Sequence, residues 1–321
     1  MSGQTPLGYL AAAGERAQAI VPLTWFVLSV SILVCVVIAV LLWVALRRGG
    51  ASAEAVEIRA VPVGRAPQAL RWIGVGLALS AVPLVVTLVW TMVTLAATAG
   101  PPPDVGLVLD VTGHQWWWEV HYDAARPDQG FTTANELHIP VNTRVLVRLR
   151  GADVIHSFWV PKLAGKTDTI PGQTNLAWLQ ASVPGRYLGQ CTEYCGWQHA
   201  HMALEVVAES PQNFQRWRAA QLQPAEQPLG ETEQRGRRLV EFRCGLCHEV
   251  RGTLAASRVG PDLTHLKSRR LIGAGVLPNT AGALSGWIEA AQGIKPGCQM
   301  PNQSLTAQQL ADVVAYLETL Q

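Results

Sequence analysis

Cys191-Thr192-Glu193-Tyr194-Cys195-Gly196-Trp197-Gln198-His199-Ala200-His201-Met202 concentrates two thiols, imidazole and a thioether in one short stretch. Soft sulfur together with imidazole selects copper, zinc or iron–sulfur. Zinc sites are built from Cys, His and carboxylates, so the added thioether points to an electron-transfer copper site. The C-x-x-x-C spacing lets both thiolates converge from one tight loop. A second imidazole must come from elsewhere. His156, in Asp153-Val154-Ile155-His156-Ser157-Phe158-Trp159, is the natural donor. The alternative is a Cys191–Cys195 disulfide beside a buried histidine, which leaves His199, Met202 and His156 as coincidences.

C-x-E-x-C-x-x-x-H-x-x-M resembles the copper A loop of cytochrome c oxidase subunit II. The His156 stretch and Lys166-Thr167-Asp168-Thr169-Ile170-Pro171-Gly172 are similar to that family too. The resemblance implies two coppers bridged by the thiolates of Cys191 and Cys195, with His156 and His199 each capping one copper. The Met202 sulfur and the Glu193 backbone carbonyl are the implied weak axial ligands. His201 receives no ligand role from the motif. Gly113-His114-Gln115-Trp116-Trp117-Trp118 resembles the G-H-Q-W-x-W segment of the same family, which makes Trp116 an electron-entry residue. A sheet packing aromatic side chains accounts for one or two of these tryptophans without any such role.

Working outward, the chain has 321 residues, a length that suggests two or three domains. Charged residues make up only 15%, against roughly 25% in soluble domains, so part of the chain belongs in lipid. The net charge of +2, without a concentrated basic stripe, argues against a nucleic-acid binder. Ile20 to Leu46 and Trp72 to Ala97 are uncharged apolar runs, each long enough to cross a bilayer as a helix. Trp72 and Trp90 suit interfacial anchoring. Pro83 predicts a kink that a membrane tolerates. Residues Met1 to Ala19 lack a basic region and do not read as a cleaved signal peptide.

The loop between the runs holds Arg47, Arg48, Arg59, Arg65 and Arg71 against Glu54 and Glu57. The positive-inside rule therefore places it in the cytoplasm, and both termini on the outer face. Gly100-Pro101-Pro102-Pro103 is an extended spacer lifting the next domain off the membrane.

From Val105 to Ala208 the pattern has period two. Arg144-Val145-Leu146-Val147-Arg148-Leu149-Arg150 alternates as a half-buried strand does. Pro140, Gly151, Gly172 and Pro184-Gly185 punctuate the stretch at strand-and-turn spacing. This predicts a Greek-key β-sandwich, and the resemblance implies that it is cupredoxin-like. Pro224 to Pro228 reads as an interdomain linker.

The last ninety or so residues hold Cys244-Gly245-Leu246-Cys247-His248, the C-x-x-C-H pattern of haem c attachment. Glu231 to Arg243 is a helical stretch with Leu239 and Phe242 on one face. Thr306-Ala307-Gln308-Gln309 is a capping-box start leading into the stripe Leu310, Val313, Val314, Leu317 and Leu320. With Gly260-Pro261-Asp262-Leu263 and Lys295-Pro296-Gly297-Cys298-Gln299-Met300-Pro301, the stretch resembles an all-α class I cytochrome c domain. That resemblance binds haem through Cys244, Cys247 and His248, makes Met300 the sixth iron ligand and sets Pro261 beside His248. Arg269 and Trp287 are candidate propionate contacts. His114, His121, His138 and His265 read as surface or turn residues, and Cys298 as an exposed thiol. Cys35 lies in an apolar run as a small core or lipid-facing residue.

The resulting expectation is a multidomain chain. Residues 1–100 hold an N-terminal segment and transmembrane helical hairpin, 101–222 a copper A domain, and 223–321 a linker and cytochrome c domain. The resemblance implies the electron-transfer subunit of a respiratory haem–copper oxidase in a bacterial inner membrane, with copper and haem domains on the periplasmic face. Electrons would pass from a donor such as cytochrome c or a quinol-oxidising complex through haem c to copper A. They would go on to subunit I and the other oxidase subunits, where oxygen is reduced and protons are translocated. The chain has no intramembrane His, so the oxygen chemistry lies in the partner. A membrane-anchored copper chaperone or sensor is the alternative, but it leaves the haem motif unexplained. Nitrous oxide reductase shares the loop but needs a large second copper domain. Where many subunit II chains carry a Glu at a proton-channel mouth, this sequence reads Ala69-Leu70-Arg71-Trp72.

Overall fold

The computed structural model of the protein describes residues 7–48, 67–123 and 129–321. Two compact units emerge, one of residues 19–99 and one of residues 7–18 with 100–321.

The first unit is helical. Helices α1 (Glu15–Arg48) and α2 (Pro67–Ala99) are both long and apolar enough to cross a membrane. They outrun the expected spans at both ends, because polar termini such as Glu15 and Arg47–Arg48 extend a helix that lipid need not cover. Hydroxyl groups inside them turn back on the helix. Ser29 donates to the Trp25 carbonyl at 2.8 Å and Ser80 to that of Gly76 at 2.9 Å. In hydrocarbon this satisfies groups that water cannot reach. Phe26 of α1 lies 5.4 Å from Trp90 of α2. Glu54, Glu57, Arg59 and Arg65 of the interhelix loop lie outside the described residues.

The second unit begins with a β-sandwich. Strands β1 (Leu107–His114), β2 (Trp117–Tyr122), β3 (Phe131–Ala134), β4 (Glu136–Pro140) and β5 (Val145–Gly151) come first. They are followed by β6 (His156–Phe158), β7 (Thr167–Thr169), β8 (Asn175–Leu179), β9 (Gly185–Gln190) and β10 (Ala203–Glu209). One sheet has the order β3-β2-β1-β5-β8 and the other β4-β10-β9. β1 alternates buried and half-buried positions along its whole length, as a strand with one covered face must. The inward faces meet in a core containing Leu109, Trp118, Tyr122, Leu149 and Leu204. A paired β6–β7 ribbon sets His156 opposite Thr169.

Helix α3 (Pro211–Gln221) starts at Ser210, whose hydroxyl accepts from the Asn213 amide, and closes one end of the sandwich with Phe214 and Trp217. Trp217 stacks on His138 at 4.1 Å. His138 is not a surface residue as its sequence setting suggested. It is buried, with Glu136 on Nε2 at 3.0 Å and Glu209 on Nδ1. The two carboxylates converge from β4 and β10, which only the parallel pairing of those strands brings together.

The C-terminal part has its own apolar cluster, with Val240, Leu284, Ile288, Val313, Tyr316 and Leu320. Its helices are α4 (Glu231–Leu239), α5 (Ala281–Ile294) and α6 (Ala307–Leu317), with a short ribbon of β11 (Leu271–Ile272) and β12 (Leu277–Pro278). α4 crosses α6 so closely that a Cβ at Gly236 would fall 1.9 Å from the Asp312 carbonyl oxygen. The capping box at Thr306 is formed as expected, with both reciprocal bonds to Gln309.

Two expectations need correction here. The helix predicted to Arg243 ends as α-helix at Leu239 and continues as a π turn over Val240–Cys244. The extra residue per turn rotates Phe242 off the Leu239 face, and Phe242 is exposed while Leu239 packs on the core. The stretch of residues 224–228 packs on this part of the chain. Ala225 is buried in this cluster and its amide donates to the Arg251 carbonyl. His265 is also buried, bonded to the carbonyls of Gln223 at 3.1 Å and of Gln321.

Candidate metal centres

The first centre forms where three segments of the sandwich meet. The ligand atoms of His156, Cys191 and Cys195 lie within 4.8 Å of one another, and all three residues are buried. The two Sγ atoms are 3.8 Å apart and both thiols are free, which removes the disulfide alternative. Cys195 Sγ lies 3.5 Å from His199 Nδ1 and 3.9 Å from Met202 Sδ, and Cys191 Sγ lies 3.3 Å from the Glu193 carbonyl oxygen. The structure thus brings together all six residues picked out for copper. His201 turns away, its ring bonded to the Gln198 side chain at 2.7 Å.

The backbone makes this loop from local chemistry. Cys191 N–H donates to the Met202 carbonyl and Thr192 N–H to that of Ser157, tying both ends of the loop and the His156 ribbon together. Gly196 turns the chain at φ +111°, and a Cβ there would press on the Trp116 ring at 3.0 Å. Only glycine combines that backbone conformation with that approach.

The electrostatics suit a cation. The hydrogen bond from the Cys195 thiol, helped by backbone amides, holds the Cys191 thiol well below the ordinary thiol range despite its burial. The same bond and burial push Cys195 up. The pair therefore favours a single thiolate, on Cys191, over two. Asp153 accepts from His156 Nε2 at 2.8 Å and leaves Nδ1, which is buried without a partner. An orphaned imidazole nitrogen beside a thiolate is a cost to the metal-free fold that a metal removes. Asp153 was not identified from sequence; its position three residues before His156 is the only signal.

The second centre is a cavity of about 550 Å³ in the C-terminal part, walled by Cys244, Cys247, His248, Met300, Arg269 and Trp287 among others. The amides of Cys247 and His248 both bond to the Cys244 carbonyl and wind the motif into one tight turn. His248 Nδ1 donates to the Pro261 carbonyl at 2.7 Å, which fixes the tautomer and leaves Nε2 as the ligand nitrogen. Burial lowers the His248 pKa and keeps the ring neutral. Arg269 is buried with its Nε unpartnered, a donor suited to an anionic group in the cavity. Burial raises the Cys244 thiol to about 11. Cys298 is half-buried, not exposed, and takes a hydrogen bond from Gln292 at 3.3 Å.

Trp116 connects the two regions. It is buried, its indole Nε1 donates to the Cys195 carbonyl at 2.9 Å, and it also borders the second cavity. Gln115 donates to the same carbonyl at 2.7 Å.

Comparison with known proteins bears on both centres. The family model described as cytochrome c oxidase subunit II, periplasmic domain, matches residues 125–210, and that of cytochrome c matches residues 233–321. Cytochrome c oxidase subunit 2 of Alkalihalophilus pseudofirmus is 35% identical over 249 residues, covering 74% of this chain and 71% of that protein. The chain belongs to the cytochrome c oxidase subunit II family. The Bacillus subtilis subunit 2 is 31% identical over 232 residues, 68% of this chain and 64% of that protein. The solved periplasmic domain of subunit II of cytochrome oxidase (CoxB) of Bradyrhizobium japonicum is 33% identical, covering 37% of this chain and 95% of that one, with a TM-score of 0.34.

As a subunit II with a cytochrome c domain, the chain has copper A and haem c as its cofactors. The residues present fit both. A buried thiolate, an orphaned imidazole nitrogen and a thioether match the copper donors. A CxxCH turn on a large, mainly apolar cavity matches covalent haem. The chain is a membrane-anchored, electron-transferring subunit of a cytochrome c oxidase.

Proposed function

We propose that this subunit passes electrons from an external reductant through haem c to the dinuclear copper A centre, and on to subunit I. The observation that carries this reading is the position of Trp116, bonded to the Cys195 carbonyl on one side and bordering the haem cavity on the other. The cofactors supply one-electron redox chemistry, and the polypeptide supplies ligands, spacing and exclusion of water. His156, Cys191, Cys195, His199, Met202 and the Glu193 carbonyl hold the coppers. Cys244 and Cys247 attach the haem, and His248 and Met300 ligate its iron. Thioether with imidazole ligation raises a haem potential, as a relay from a respiratory donor requires. Burial of both thiols, of His156 and of Met202 keeps water off the copper ligands.

The division into residues 1–100, 101–222 and 223–321 follows the same reading: a membrane anchor, a copper domain and a cytochrome domain. The donor is a cytochrome c or a quinol-oxidising complex.

Each purified chain is expected to hold two coppers and one haem iron, with the haem retained through acid–acetone extraction. Elemental analysis checks the first and the extraction checks the second. A copper content near one per chain would sink the dinuclear assignment, and extractable haem would sink the thioether links.

The two spans are proposed to form a hairpin in the bacterial inner membrane, with their connecting loop inside and both metal domains on the periplasmic face. Protease added to intact spheroplasts is expected to release the soluble unit. Protection until lysis means the orientation is reversed.

A further inference from the structure

Lys295 follows the last turn of α5 and is 2% exposed. Among the described residues it enters no ion pair. Its ammonium instead donates three hydrogen bonds to backbone carbonyls, those of Trp116 and His201 at 2.8 Å and of Gly273 at 2.9 Å. An ammonium has three donors, so each is used, and only such full pairing makes an interior charge tolerable. Burial still draws Lys295 down to about 8.

The three acceptors matter because of where they sit. Trp116 is the residue bonded to Cys195, His201 is flanked by the loop that carries His199 and Met202, and Gly273 belongs to the cytochrome part. Lys295 itself opens the loop that ends at Met300. Neighbouring bonds cross the same seam. Gln198 donates to the Pro296 carbonyl at 2.8 Å, the Ala203 amide to the Ala274 carbonyl at 3.0 Å, and Arg270 pairs with Glu205 at 2.8 Å. The methionine loop of one centre is thus seated on the ligand loop of the other.

We propose that Lys295 is a positioning residue that locks the Met300 loop to the copper loop and so fixes the distance electrons cross between the two centres. This rests on the haem-to-copper route proposed above. Methionine fills nearly the same volume as lysine but donates no hydrogen bond, whereas glutamine restores two donors. The rank order wild type, Lys295→Gln, Lys295→Met therefore separates pairing from packing.

The test uses the full chain carrying both metal centres, in detergent. Amide hydrogen exchange is followed at Ala203, and haem-to-copper transfer is followed by stopped-flow absorbance after reduction by a small-molecule donor. In Lys295→Met, exchange at Ala203 is expected to rise about tenfold or more, the consequence of three buried carbonyls left unpaired. Transfer is expected to slow by about tenfold to a hundredfold, as small misplacements of reacting partners do. Lys295→Gln lies between, and exchange in α4 and α6 stays at the wild-type rate. Unchanged exchange at Ala203, or loosened exchange with unslowed transfer, overturns the proposal. So does exchange that rises equally in α4 and α6, since Lys295 would then only support the cytochrome fold. If copper in the wild type is reduced before haem, the route fails instead, and the clamp is judged by Ala203 exchange alone.

Discussion

Replacing Cys191 by serine is expected to leave the chain with less than a tenth of its copper while the haem content stays unchanged. The reason is the ionisation of the pair. The hydrogen bond from Cys195 lowers the Cys191 thiol and favours the thiolate there. A serine hydroxyl is hard, stays protonated and cannot bridge. Cys195 keeps its sulfur, and although it loses the bond that raised it most, burial still holds its thiol up. His156, with Asp153 on Nε2, then faces a site with a single protonated thiol. Soft metal affinity falls with the loss of thiolate. The sandwich survives, because its core of Leu109, Trp118 and Leu149 does not depend on the loop. Metal analysis of the purified variant, with circular dichroism as the control for folding, decides the matter. Copper retained at two per chain would remove Cys191 from the ligand set.

The second large effect separates the two methionines. Met202 is fully buried with its sulfur 3.9 Å from Cys195 Sγ. Met202→Leu conserves volume, costs less than about 1.5 kcal/mol in packing, and is expected to keep copper while shifting its potential, since a weak axial ligand mainly tunes. Met300 is half-buried on the haem cavity wall, with its carbonyl held by Gln292 at 2.6 Å. Met300→Leu keeps the haem covalently bound through Cys244 and Cys247 but opens an iron position. The expected signs are carbon monoxide binding and a lowered haem potential. Each drop of about 59 mV reduces the reduced-to-oxidised haem ratio tenfold at a fixed donor potential. Copper reduction from an external donor therefore slows at least tenfold in Met300→Leu. Stopped-flow absorbance follows both centres. Copper reduced at the wild-type rate in this variant would mean that haem c is not the obligatory entry and that electrons enter at Trp116 directly.

Much of this protein is legible in one dimension because the determining interactions are local. The copper loop carries five of its six candidate ligands between Cys191 and Met202, so spacing alone assembles most of the donor set. The CxxCH turn is closed by bonds from residues 247 and 248 to residue 244, again within one turn. The two apolar helices follow from a solvent preference that composition records. Period two in the sequence marks β5, and the capping box marks the start of α6.

What the tertiary structure decided concerns pairs that are distant in sequence. His138 and His265 are buried because carboxylates and carbonyls from other strands and loops converge on them, and no local pattern announces that. The π turn before Cys244 is a one-residue change of helical register that periodicity cannot resolve. Asp153 was in plain view, yet its role depends on which imidazole nitrogen faces the sulfurs. Lys295 is the sharpest case. A lysine beside proline and glycine reads as a solvated loop residue, because a charge ordinarily seeks water. Only when the chain folds do three carbonyls from residues 116, 201 and 273 meet around it and take the place of that water.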